Sequence, residues 1–291
     1  MSKIWFITGA TRGIGAAIAK AALAAGDCVV ATGRRHEALE RAFGPDSERV
    51  LTLALDVTHD AQVGAAVNAA VAMFGRIDVL VNNAGYGNLG FFEETTDAEA
   101  RAQYDTNLFG LMNVTRAVLP FMRQRRSGRI FNISSVGGLV GGPAGTLYCA
   151  TKFAVEGFSE SLAAEVAPFG IHVTVVEPGF FRTDFLDETS VQYGSRRVDD
   201  YAEASAQLRA FWDSRNHSQA GDPAKLGLAL VELADHDRPP LRFAAGSDAV
   251  AMIDDKIDRL RAELHAWRKL SETTDADDAP QLASASGAVW R

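Results

Sequence analysis

Short apolar runs alternate with longer amphipathic stretches along nearly the whole chain. Residues 3–8 (KIWFIT), 27–32, 49–57, 77–81, 129–134, 171–177 and 241–245 are brief and rich in β-branched or aromatic side chains. They predict strands buried on both faces, as in a parallel sheet. Between them, residues 60–74, 97–125, 147–167, 223–234 and 247–270 carry helical periodicity, and another helical pattern closes at Gly26. Strand–helix alternation demands a parallel α/β sheet covered by helices on both faces. No repeat or interior linker interrupts it, so residues 1–270 are expected to form one domain. Residues 180–221 are too long for a simple connection and hold seven aromatics, among them Phe180, Phe181, Phe185 and Trp212. They follow a strand's carboxyl end, where ligands bind in such sheets, and predict a lid over an apolar substrate. The Asp-, Ser- and Ala-rich residues 271–291 predict a disordered tail.

Composition narrows the function. A net charge of −8 argues against a nucleic-acid partner. Two cysteines and six scattered histidines offer neither a disulfide framework nor a metal-ligand spacing, so no metal is expected. The first strand starts almost at Met1, leaving no room for a signal peptide, and no apolar run is long enough to cross a bilayer. A cytoplasmic protein without a membrane partner is the expectation.

Gly9-Ala-Thr-Arg-Gly13-Ile-Gly15 follows the first strand and opens a helix. That setting binds phosphate, because glycines admit the backbone to a pyrophosphate and the helix N-terminus presents unpaired N–H groups. An acidic residue at the end of the second strand would bond the 2′-hydroxyl of NAD. Gly33-Arg34-Arg35 stands there instead. Arginine suits a 2′-phosphate, and Arg12 in the glycine loop supplies another cation, so NADP(H) is expected over NAD(H).

Tyr148 and Lys152 are four residues apart and share a helix face. An ammonium beside a phenol favours the phenolate and predicts a lowered Tyr148 pKa, tuned for proton transfer. Ser135, at the end of a strand-like run, is placed to hydrogen-bond the oxygen that the phenol protonates. Asn107 lies inside an apolar helical stretch, either as a satisfied core group or at a local bend lining a site. Cys149 reads as a small buried helix residue rather than a nucleophile.

Taken in order, Thr8 to Gly15, Asp56, Asn82-Asn83-Ala84-Gly85, Asn107, Ser135, Tyr148, Lys152, Pro178-Gly179 and Thr183 make the chain resemble the compact short-chain dehydrogenase/reductases, over about residues 3–270. The resemblance implies a Rossmann-type doubly wound sheet of seven parallel strands, order 3-2-1-4-5-6-7. It implies a catalytic tetrad of Asn107, Ser135, Tyr148 and Lys152, with hydride transfer between nicotinamide and a carbonyl or carbinol carbon. Asn107 would hold a water linking Lys152 to solvent. The cofactor would meet Gly9, Thr11, Arg12, Gly13, Ile14, Gly15, Arg34, Arg35, Asp56, Val57, Asn83, Ala84, Gly85, Tyr148, Lys152, Pro178, Gly179, Phe181 and Thr183. A small apolar ketone, aldehyde or alcohol would meet Tyr86, Val136, Leu139, Val140 and Phe185. Family members commonly form dimers or tetramers through the helices bearing Asn107 and Tyr148. The alternative is a non-catalytic NADP(H)-binding sensor or scaffold on the same fold. The sister branch of sugar-nucleotide epimerases needs a larger C-terminal domain and another glycine spacing.

Overall fold

In the computed structural model, residues 2–187 and 190–277 are described. The expected strands appear as β1 (Ile4–Ile7), β2 (Cys28–Gly33), β3 (Val50–Ala54), β4 (Val79–Asn82), β6 (Gly128–Ile133), β7 (Ile171–Pro178) and β9 (Arg242–Ala245). They form one seven-stranded parallel sheet in the order β3-β2-β1-β4-β6-β7-β9. Counting only its own strands, this is the order the resemblance implies. Two three-residue strands, β5 (Gly87–Leu89) and β8 (Val191–Tyr193), pair apart from it. They tie residues 180–221 to the body and were not foreseen, being too short to show a period.

The pleat divides the core. Ile4 and Phe6 of β1 face one apolar cluster, while Trp5 and Ile7 face another. The first cluster packs beneath α3 (Asp60–Phe74), α5 (Gly110–Arg125) and α6 (Thr146–Val166). The second lies under α1 (Gly13–Ala24) and α8 (Pro223–Asp235). A Cβ on Gly227 would sit 2.7 Å from the Ala17 carbonyl, so only glycine lets α8 approach α1 so closely. Trp5 is wholly buried, stacks on Phe131, and donates its indole N–H to Asp27 at 2.8 Å.

The stretch expected as one helix over 97–125 is broken. α4 (Asp97–Tyr104) and α5 flank a π-helical turn, Asp105–Phe109. A capping box of Thr96 and Glu99 starts α4. The π turn is the local bend the sequence left open for Asn107, and it turns Asn107 into the core at 2 % exposure. An unforeseen short helix, α2 (His36–Phe43), follows β2, and the long 180–221 connection carries α7 (Ala202–Arg215). α9 (Ser247–Glu272) runs two residues past the expected end, so the tail begins later than 271; residues 278–291 of that tail lie outside the described residues.

Candidate active site

Where the sheet order reverses between β1 and β4, the loops after the strands' carboxyl ends part around a cavity of about 450 Å³. One half is the glycine loop. Gly9 and Gly13 have φ of 65° and 57°, which favour glycine. A Cβ on Gly15 would overlap the Gly9 carbonyl and the Asn83 side chain. Asn83 staples the loop from below, donating from Nδ2 to the carbonyls of Thr8 (2.9 Å) and Gly9 (3.0 Å). The Thr8 hydroxyl accepts from the backbone N–H groups of Asn83 and Ala84 at 2.9 and 3.0 Å. α1 then begins with no side-chain cap and no acidic residue in its first turn. Its first N–H groups and positive dipole end suit a pyrophosphate.

Arg34 lies exposed at the cleft's far end, just beyond β2. Asp56 lines the same end; burial raises its pKa, but hydrogen bonds from Thr58 and the charges of His59 and Arg34 leave it below the usual carboxylate value. Arg12 also lines the cleft, and its guanidinium donates to the Ser190 hydroxyl at 2.5 Å.

The other half holds Ser135, Tyr148 and Lys152. Ser135 follows β6 in extended backbone, and its Oγ accepts from the Gly137 N–H at 3.0 Å. Ser135 Oγ and the Tyr148 ring come together over Gly137, and the hydroxyl is near enough to favour the phenolate. Lys152, 7 % exposed, lies one turn along α6 with Nζ 5.8 Å from the Tyr148 ring centroid. That ammonium donates to the Ile133 carbonyl at 2.8 Å.

The expected lowering of the Tyr148 pKa is not what the structure gives. Burial pushes the phenol up to about 12, outweighing the nearby Ser135 hydroxyl, which favours phenolate. Burial also brings Lys152 down to about 8, against the opposing charge of Glu156. Sequence spacing put the cation beside the phenol but carried no desolvation.

Most predicted residues line the cleft, including Tyr86, Val136, Val140, Phe185, Pro178, Gly179, Phe181 and Thr183. Four do not. Gly15 lies beneath the loop, Arg35 is the exposed residue before α2, Leu139 is half-buried outside the cavity, and Asn107 sits behind its wall. Asn107 spends its side chain on the fold: Oδ1 accepts from the Tyr86 N–H (3.1 Å), and Nδ2 donates to the Tyr86 carbonyl (3.0 Å) and Thr151 Oγ1 (3.2 Å). It thereby ties a cleft-lining loop to the helix bearing Tyr148. Cys149, expected buried, is half-buried and lines the cleft, with its thiol pushed up by burial.

Sequence reasoning missed several contributors. Gln219 and Met252 also line the cavity, beside Phe180 and Trp212 of the expected aromatic segment. Gln219 is 7 % exposed and its Oε1 has no partner among the described residues. Behind Lys152 lies a partly buried charge cluster. Arg242 of β9 pairs with Glu156 and with Glu160 (2.7 Å) of α6 and with Glu177 (3.1 Å) of β7. Glu156 and Glu177 are 4 % and 2 % exposed. Burial and mutual repulsion push Glu177 up to about 7, and burial raises Glu156 as well. The available signals were a glutamate inside an apolar strand and Glu156 one turn beyond Lys152.

The short chain dehydrogenase family profile matches residues 3–194. The chain belongs to that family. This short-chain dehydrogenase is 44 % identical over 278 residues to oxidoreductase BOA17 of Botryotinia fuckeliana, covering 93 % of this chain and 98 % of the relative. It is 40 % identical over 245 residues to a 3-ketodihydrosphingosine reductase of Bacteroides thetaiotaomicron, covering 84 % and 88 %. A short-chain dehydrogenase crystal structure from Streptomyces avermitilis superposes with a TM-score of 0.86 at 44 % identity, over 95 % of this chain and all of that one. Solved members at 28 % and 30 % identity hold NADH in one case and NADP in the other. An oxidoreductase fold with a nicotinamide dinucleotide cleft follows. The residues here fit that group, as the uncapped α1 terminus and the loop positions Gly9, Gly13 and Gly15, which call for glycine, show. Among the described residues no helix is long and apolar enough to cross a membrane.

Proposed function

We propose that this short-chain dehydrogenase is an NADPH-dependent carbonyl reductase, reversible as an alcohol dehydrogenase, acting on an apolar ketone or aldehyde. The meeting of Ser135 and Tyr148 around Gly137 in the cleft wall, with the Lys152 ammonium one helical turn away, carries the assignment. Bound NADPH would supply a hydride to the carbonyl carbon. Tyr148 donates its proton to the carbonyl oxygen, and the neutral phenol, held up to about 12 by burial, is fully protonated at pH 7 for that purpose. Ser135, its Oγ fixed by the Gly137 N–H, turns its own hydroxyl hydrogen toward the same oxygen. Lys152 places a positive charge under the phenol and stabilises the phenolate left behind. Asn107 holds the Tyr86 loop in register with α6. Phe185 packs 5.6 Å from the Tyr148 ring, and with Phe181 and Trp212 keeps water from the reacting carbon.

Arg34 and Arg12 support the 2′-phosphate, since no carboxylate stands after β2 to bond a 2′-hydroxyl. The aromatic lid supports an apolar substrate, as does likeness to a relative named for a long-chain ketone reductase. Exposed Phe109 and Phe153, beside Asn107 and Lys152, support assembly through α5 and α6. NADPH oxidation against a panel of alkyl and aryl ketones, including a long-chain 3-keto amine, tests the assignment. Turnover is expected to fall by about 10²–10⁴-fold in Tyr148→Phe with NADPH binding retained. Full activity in that variant would refute the proton-donor role.

A further inference from the structure

α9 continues well past the body of the protein. Its first turns pack through Ala249, Met252 and Ile253, but every residue from 257 to 272 is exposed. At about 1.5 Å per residue, that is a free rod of roughly 24 Å. The rod is not polar all round. Val250, Ile253, Ile257, Leu260, Leu264 and Trp267 recur at intervals of three and four, the a and d positions of a heptad. Five of the six are 47–63 % exposed. Intrahelical pairs Arg259–Asp255 (2.8 Å), Arg261–Asp258 (3.0 Å) and Arg268–Glu272 (3.6 Å) lie outside the a and d positions.

We propose that α9 is a self-association element that pairs antiparallel with α9 of a second copy of this chain about a two-fold axis. The charges beside the seam select both the partner and the direction. Layers of Val250 on Trp267, Ile253 on Leu264 and Ile257 on Leu260 of the other copy use the whole seam. In an antiparallel pair, e positions meet e positions and g meet g. That register brings Asp254 against Arg261 and Lys256 against Glu263, each twice by symmetry. All four contacts join opposite charges. A parallel pair would instead set Lys256 against Arg261. Mixed signs along the seam also disfavour an anionic membrane as occupant, which calls for a basic face. This surface is separate from α5 and α6, and the inference stands whether or not the proposed reaction is correct.

Light-scattering mass and cysteine cross-linking of the full-length chain test it. Leu260→Asp with Leu264→Asp alters only exposed side chains and is expected to halve the solution mass, whatever assembly α5 and α6 also make, with far-UV circular dichroism unchanged. Val250→Cys and Trp267→Cys chains are expected to form disulfide-linked dimers when mixed and neither when alone. An unchanged mass in the Asp variant overturns the proposal, including the case where wild-type α9 instead binds phosphatidylglycerol vesicles. Cross-linking by either variant alone, or none in the mixture, overturns the antiparallel register.

Discussion

Replacing Glu177 by glutamine should make the protein more stable at pH 8 and leave it unchanged near pH 4.5. Glu177 and Glu156 are both out of water and share the single guanidinium of Arg242, which Glu160 also engages. Burial first, and the Glu156 charge second, raise the Glu177 carboxyl from 4.5 to about 7. The folded protein therefore binds more protons than the unfolded chain between those values. The stabilising contribution is whole below about pH 4.5 and is lost as pH rises through about 7. At about 1.4 kcal/mol per pH unit, the gap corresponds to about 3 kcal/mol. The Arg242 side chain is 33 % exposed, so water screens the cluster and about 2 kcal/mol is expected. Glutamine preserves the shape and the oxygen that accepts from Arg242 but cannot ionise. Thermal unfolding in buffers from pH 4.5 to 8 should show the two proteins together at the acid end. At pH 8 the variant should melt roughly 4–6 °C higher. A variant less stable than wild type at pH 8 would refute the reasoning, because it would mean that Arg242 more than compensates the second buried charge.

Arg34→Ala should weaken NADPH binding at least tenfold and NADH little, measured by fluorescence titration; equal losses would remove the 2′-phosphate assignment. Because burial brings Lys152 down to about 8, its charge is lost as pH rises through that value. Wild-type NADPH affinity should accordingly weaken between pH 7 and 9, whereas Lys152→Met, weak throughout, should show no such step. Asn107→Ala leaves the Tyr86 N–H without its side-chain partner and the Tyr86 carbonyl with Gln103 alone, at a cost of about 1–3 kcal/mol. It should lower kcat more than it raises the KM for NADPH, since it loosens the tie between the Tyr86 loop and α6; an unchanged kcat would make its role purely structural.

Runs and spacings were enough to read the parallel sheet, the glycine loop after β1 and the alignment of Tyr148 with Lys152, because each is set by residues within a few positions of one another. Ser135 was legible for a similar reason, lying at the end of an apolar strand. Other features depend on parts of the chain brought together by folding. Glu156, Glu177 and Arg242 are separated by 65 and 86 residues in their hydrogen-bonded pairs, so no local pattern announces them. Asn107 stood out as a polar residue inside an apolar helical stretch, yet only the π turn decided that it would sit behind the cleft wall. The direction of the Tyr148 pKa went the other way from expectation because desolvation sums over every neighbour, whereas a motif counts one. What the amino-acid order determined by itself was periodic structure and near-neighbour chemistry. Tertiary structure decided which of those groups lost their water, which apolar face of α9 stayed without cover, and which charges had to share a partner, since burial and long-range contact exist only once the sheet has closed its two cores.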